Sequence, residues 1–279
     1  MQRLIKGLRN KFYRFQLYRK NKVILDNNKK LENTQSGKRC FIFGTGPSIK
    51  DQNLLRLKNE QTFAVNTFWM HPQFKEINPK YYVAADTLSF REESNFWTEK
   101  FAKNAYRLSE IPMELFFNIK ARESIEAKKL IPPGKIHYIA SDGFFREDLK
   151  YNMDISRVIP NPKNVVLAAI LIATYMGFEE IYLLGCEHDY LAIRTNYELS
   201  NYFYESDKFD MNNSNDVKYY GLKVTSYESA INHAGKLFQN YRLLKAKLAK
   251  EKPRVKIYNA TPNSFLDVFP MVKFEDINL

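Results

Sequence analysis

The sequence predicts an α/β fold, a Rossmann-like, doubly wound and mostly parallel sheet with a tyrosine-rich lid and an N-terminal amphipathic helix. Three observations predict it. Short apolar runs alternate with helix-patterned stretches along most of the 279 residues. Several of these runs stop at a polar residue, as strands do when they face a shared crevice. One run, "RCFIFG" (39–44), enters a Gly-Thr-Gly-Pro-Ser turn, the connection that brings a backbone close to a ligand.

Before that run lies a separate arm. The net charge is +12, and residues 1–39 hold twelve Lys/Arg against two acids, leaving 31 basic and 29 acidic side chains for the other 240 residues. Two domains are therefore expected: a basic amphipathic arm and linker over 1–37, and a catalytic domain over 38–279 with its lid at 186–223. Within "MQRLIKGLRNKFYRFQLYRKNK", Leu4, Leu8, Phe12 and Phe15 recur at helical spacing and basic residues fill the other faces. A helix of this kind suits an anionic membrane surface, reached through residues 1–22. A partner-packing or self-packing helix, as in a homo-oligomer, is the plain alternative. Nucleic acid is not expected, because the body lacks a basic-aromatic binding motif. "DNNKKLENTQSGK" (26–38) is polar and reads as the linker.

The body follows in order. "RCFIFG" reads as a buried strand, with Ser48 placed to cap a helix from near Ile49 and Asp51 at the capping-box position. "TFAVN" (62–66) and "KYYVAAD" (80–86) are strands ending at Asn66 and Asp86. "IPMELFFNI" (111–119) and "KIHYIA" (135–140) read as two more, around a helix rich in Glu and Lys. "NPKNVVLAAILIATYMGF" (161–178) is apolar nearly all round, hence a buried helix with Pro162 in its first turn and Gly177 at its end. "EEIYLLG" (179–185) is a central strand, a long helix spans about 225–250, and "RVKIYNA" (254–260) is the last strand. The segment 186–223 is long and rich in Tyr, Asn and Asp, which suits a lid.

No apolar run approaches the roughly 18 residues that span a bilayer, and no secretory leader follows the basic start. The expected location is cytoplasmic, peripheral at the inner face of the membrane. Cys40 and Cys186 read as buried small hydrophobes, not as a disulfide or a zinc site. Ile49 stands where a dinucleotide fingerprint needs its third glycine, and there is no Walker A lysine, which argues against NAD, FAD and P-loop chemistry. No Asp-x-Asp motif occurs, although Glu187 and Asp189 flank His188 at that spacing. His188 lies just past a strand end, where a base could reach a sugar hydroxyl. His71 reads as a loop residue, His137 as structural, and His233 sits within the long helix.

"FIFGTGPSIKD", the strand ending in Asn66, "LAAILIATYMGFEEIYLLGCEHDY" and "KIYNATPNSFLDVF" together resemble the landmark segments of bacterial sialyltransferases of glycosyltransferase family 42. They also resemble a related domain of archaeal 6-hydroxymethylpterin diphosphokinase and of flagellin-modifying motility accessory factors. The resemblance runs from about Lys38 to Pro270 and implies transfer of a sialic-acid-like or other nonulosonic acid from a CMP-activated donor to a glycan or glycolipid hydroxyl. It implies that Gly44, Thr45, Gly46, Pro47 and Ser48 line the nucleotide, that Asn66 contacts the donor and that Asp86 stands at a second strand-end position. It places Asn164 near the donor carboxylate, Asn263 and Ser264 at the cytidine end, and Tyr190, Tyr219 and Tyr220 at the departing phosphate. The sialyltransferases carry Asn where Thr45 stands and a catalytic His where Leu222 stands. The base then falls to His188, Glu187 or Asp189. No cofactor is required on this reading. A magnesium-dependent diphosphotransferase, with Asp86, Glu187 and Asp189 as metal ligands, is the alternative. A binding module without chemistry is the third.

Overall fold

The computed structural model describes residues 2–86, 90, 96–129, 131, 136–193 and 226–279. Its strands are β1 (Arg39–Phe43), β2 (Thr62–Val65), β3 (Tyr81–Ala84), β4 (Glu114–Asn118), β5 (Ile136–Ser141), β6 (Val158–Ile159), β7 (Glu180–Leu184) and β8 (Lys256–Asn259). Its helices are α1 (Gln2–Asp26), α2 (Phe74–Ile77), α3 (Phe96–Asn104), α4 (Arg122–Ala127), α5 (Val165–Met176), α6 (Tyr190–Ile193) and α7 (Tyr227–Glu251). The strands form one eight-stranded sheet in the order β6-β5-β4-β3-β2-β1-β7-β8. Every pairing between them is parallel.

The strands read as continuous apolar runs because both faces of the sheet are covered. Cys40, Ile42, Phe63, Val65 and Val83 point to one side and join a core with α5 and α7. Phe41, Phe43, Ala64, Tyr82 and Ala84 point to the other and join a core that includes Leu25, Trp69, Phe74 and Phe101. This is the doubly wound sheet the alternation predicts. Cys40 and Cys186 are buried free thiols, as their surroundings suggested.

Three local expectations need correction. Pro162 is not in the first turn of α5: the helix begins at Val165 and is capped by Asn164, whose Oδ1 accepts from the Val166 amide at 2.6 Å, so Pro162 lies ahead of it. An Asn side chain can satisfy a free helix amide, which proline's ring cannot. Gly177 does end α5, at φ 92°. After β1 there is no α-helix but a 3-10 turn, Pro47–Lys50, preceded by Gly46 and without a side-chain cap. Finally, 26–38 is not a free linker. It begins with a 3-10 turn, Asn27–Leu31, and Asn28 is fully buried, its Nδ2 donating to the carbonyls of Tyr138 and Ile155 at 2.9 Å each. The Asn33 and Gln35 amides donate to the carbonyls of Tyr175 and Met176 at the end of α5. A polar composition hides this docking, because the Asn28 amide nitrogen is satisfied by backbone carbonyls in the interior.

The C-terminal half of α1 packs with the body through Leu17, Tyr18, Ile24 and Leu25. Arg14 Nη2 donates to the Val158 carbonyl at 2.8 Å, and the Arg157 guanidinium lies over the Tyr18 ring. Among the described residues, no helix is long and apolar enough to cross a membrane.

Candidate functional site at the β1–β7 switch point

From β1 the chain moves strand by strand to β6, then returns through α5 to place β7 on the other side of β1. Adjacent parallel strands whose connections leave in opposite directions open a crevice at their carboxyl ends. Residues 44–48 after β1 and 185–189 after β7 flank it. Two backbone bonds tie the β1 turn to the end of β7 and the residue after it: the Gly44 amide donates to Leu184 O at 2.7 Å and the Gly46 amide to Gly185 O at 3.0 Å. A Cβ on Gly44 would collide with the Gly185 carbonyl, and one on Gly46 with the Glu187 carboxylate. The glycines are therefore required by close approach, as the turn suggested.

What fills the turn is a side chain of the protein. Glu187 is 8% exposed, and its Oε1 accepts from the Ser48 amide at 2.8 Å. Its Oε2 is buried and has no hydrogen-bond partner among the described residues. Burial raises the Glu187 pKa above its usual 4.5, with hydrogen bonding from Ser48 in opposition. Amides of the turn are thus engaged within the protein. Ser48 gives its amide to Glu187, and Ile49 gives its own to the Gly46 carbonyl. The turn holds an internal carboxyl group on the Ser48 amide.

His188 follows at φ 57°, a left-handed conformation. Its Nδ1 lies 3.1 Å from the Cys186 carbonyl, and its Nε2 lies 3.0 Å from the Tyr241 hydroxyl. The carbonyl can only accept, so this pattern assigns the proton to Nδ1 and makes Nε2 the acceptor of the Tyr241 hydroxyl. Burial drops the His188 pKa from 6.5 to about 4, against the pull of the Cys186 carbonyl. Such an imidazole is a weak base already engaged at both nitrogens. The Tyr241 hydroxyl also lies 3.4 Å from Asn164 Oδ1, which links α7 to the start of α5. Asp189 is half-buried just before α6, and burial raises its pKa from the usual 3.8.

The "TPNS" turn is tied to the same segment. Ser264 Oγ donates to the Cys186 carbonyl at 2.6 Å, and the Phe265 amide donates to the Glu187 carbonyl at 2.8 Å. The Cys186 amide in turn donates to Thr261 Oγ1 at 3.0 Å. Ser264 is therefore engaged with backbone, while Asn263, at φ 53°, and Phe265 are exposed beside it.

The structure thus brings together Gly44, Gly46, Ser48, Glu187, His188, Asn164 and Ser264. Thr45 and Pro47 complete the turn. Asn66, at φ 46°, and Asp86 lie at the ends of β2 and β3, on the same edge of the sheet. Tyr190 opens α6. Tyr219, Tyr220 and Leu222, with the lid from residue 194 onward, lie outside the described residues. His137 is structural, its Nε2 2.8 Å from Glu114 Oε2, and His71 ends a short 3-10 turn.

Sequence reasoning missed Tyr241, Thr261 and Gln52. Gln52 is buried, and its Nε2 donates to the Ala260 carbonyl at 2.9 Å, tying the β1 turn to the segment after β8. Tyr241 falls in the apolar stripe of α7 with Leu237, Leu244 and Leu248, which reads as core. Among the described residues, no three His, Cys, Asp or Glu side chains cluster so as to hold a metal ion.

A family model described as "6-hydroxymethylpterin diphosphokinase MptE-like" matches residues 15–192. That supports the wider group named from the sequence, without singling out the sialyltransferases. A comparison with curated proteins finds no match. Among solved structures, the chain is similar to a MAf glycosyltransferase from Magnetospirillum magneticum AMB-1, at 12% identity and a TM-score of 0.46. The alignment covers 92% of this chain and 39% of that one.

Proposed function

We propose a function from one premise: the chain belongs to the 6-hydroxymethylpterin diphosphokinase MptE-like family. It is a transferase that holds a nucleotide-activated substrate at the β1–β7 switch point. The substrate is an acid sugar activated by CMP, and the acceptor is a hydroxyl of a surface glycan or glycolipid. The acceptor oxygen attacks the anomeric carbon, the bond to the phosphate oxygen breaks, and CMP leaves with the bonding electrons. A carboxylate takes the hydroxyl proton.

One observation carries this reading: a buried acid, Glu187, stands in the glycine turn with an unpaired oxygen. An acceptor oxygen there suits a donor group of the ligand, such as a nucleoside hydroxyl, and repels a phosphate placed on the same amide. Glu187 is then a binding residue. Asp189, less buried and just before α6, serves as the base, and His188 positions the segment between them. Asn66, Asp86, Asn263 and the lid tyrosines Tyr190, Tyr219 and Tyr220 keep the ligand-facing parts given them above.

The family's own description favours a second reading, a diphosphotransferase, whose phosphoryl chemistry would call for magnesium. A thermal-shift panel of CMP, CDP, UDP, GDP and ATP, each with and without magnesium, separates the two. A ligand at about 100 times its Kd adds about 2.7 kcal/mol, which such a scan resolves. Stabilisation by CMP without metal is expected, along with slow donor hydrolysis that falls in Asp189→Asn. Stabilisation by ATP alone, and only with magnesium, overturns the glycosyl-transfer reading.

A further inference from the structure

The body-facing side of α1 is fixed by Leu17, Tyr18, Ile24, Leu25 and the Arg14 bond to Val158. The opposite side carries three large apolar residues in water: Phe12 is 60% exposed, Phe15 56% and Val23 79%. At 3.6 residues per turn, these three fall on one outward face. Lys11, Arg19 and Lys20 are exposed around them. An apolar stripe with the Arg19 guanidinium over the Phe15 ring and Lys11 and Lys20 at its sides, on a helix already docked by its other side, has no role in the core.

We infer that this outer face of α1 is a docking surface for an anionic lipid bilayer, with the aromatic rings entering the headgroup region and the basic residues meeting lipid phosphates. Charge complementarity selects this occupant. Residues 1–22 carry eight Lys/Arg and no acid, and the apolar stripe recurs in the sequence at Leu4 and Leu8. A nucleic-acid surface would use the charge but not an aliphatic Val23 beside two outward Phe. The placement also has a direction. Arg14 meets Val158, which pairs with Ala140 near the carboxyl end of β5. The preceding turns of α1 therefore point to the edge of the sheet where the β1–β7 crevice opens.

The test is co-sedimentation of the full chain with vesicles of phosphatidylcholine, alone or mixed with phosphatidylglycerol. Two variants accompany it. One is Phe12→Ser/Phe15→Ser/Val23→Ser, and the other is Lys11→Gln/Arg19→Gln/Lys20→Gln. All six positions are exposed, so both variants should unfold at the wild-type temperature. Wild type should bind the anionic vesicles at least about tenfold more tightly than the neutral ones, and each variant should lose about tenfold. Equal binding to neutral and anionic vesicles overturns the inference. So does anionic binding untouched by the serine variant. Retention on a polyuridine matrix that survives the serine variant, with no vesicle binding, assigns the face to nucleic acid instead.

Discussion

Replacing His188 by Asn isolates the acid sensitivity of the crevice. The substitution keeps a residue type that tolerates φ 57°, so the backbone is not newly strained. A histidine whose folded pKa lies below its unfolded value contributes stability that is fully present above the unfolded pKa. That contribution is lost as pH falls from there toward the folded pKa. The fall here is from 6.5 to about 4, so the window is the acid side of neutrality. At about 1.36 kcal/mol per pKa unit, the full loss is about 3 kcal/mol, most of it gone by pH about 4.5. The assay is urea unfolding of wild type and His188→Asn between pH about 7.5 and 4.5. Near pH 7.5 wild type should be the more stable, because its imidazole bonds Cys186 and Tyr241. Toward pH about 4.5 that advantage should shrink by about 2–3 kcal/mol. Glu187 and Asp189 titrate in both proteins and largely cancel in the difference. A gap that stays constant over the whole range would refute a buried neutral His188.

Glu187 gives the opposite sign. Its folded pKa is raised, so its contribution is largest below the usual 4.5 and is lost as pH rises past it; Glu187→Gln should remove that loss, seen as a variant that gains on wild type between acid and neutral pH in denaturant midpoints. Gly46→Ala should cost about 1–3 kcal/mol through overlap with the Glu187 carboxylate, and a double-mutant cycle with Glu187→Ala should recover part of it. Asn28→Ala should cost about 1–3 kcal/mol by stranding the carbonyls of Tyr138 and Ile155; a variant as stable as wild type would mean the segment after α1 is not docked. Asn164→Ala should cost about 1 kcal/mol as a lost helix cap, measured by thermal unfolding.

Seven of the eight strands were legible because each is a short stretch dominated by apolar and aromatic residues and bounded by polar ones. β6 was not, since Val158 and Ile159 are too few to carry a period. The glycine turn was legible as a close approach, but what it approaches was not. Ser48 and Glu187 are 139 residues apart, and nothing in either segment records the bond between them. Sequence motifs likewise treat Ser48 as a cap, whereas its amide is satisfied from another strand end. Asn28 looks like linker because Asn is common in linkers. Only the two carbonyls it meets, from Tyr138 and Ile155, show it as core. Tyr241 was hidden by the reverse effect, since a ring on an apolar helical stripe gives no hint of the His188 and Asn164 atoms near its hydroxyl.

The strand order also sets a timetable for synthesis. β1 leaves the ribosome first, yet one of its edges waits for β7, whose residues arrive after five other strands have formed. Until Glu180–Leu184 emerge, the N-terminal sheet has an open apolar edge at what will become its middle, and such an edge invites pairing with another chain. Glu187 follows β7 by only three residues, so the carboxylate reaches the glycine turn as soon as that edge closes. A nascent chain stalled before residue 180 should therefore need a chaperone at the β1 edge; emergence of β7 closes that edge and passes the open one to β7, which waits for β8.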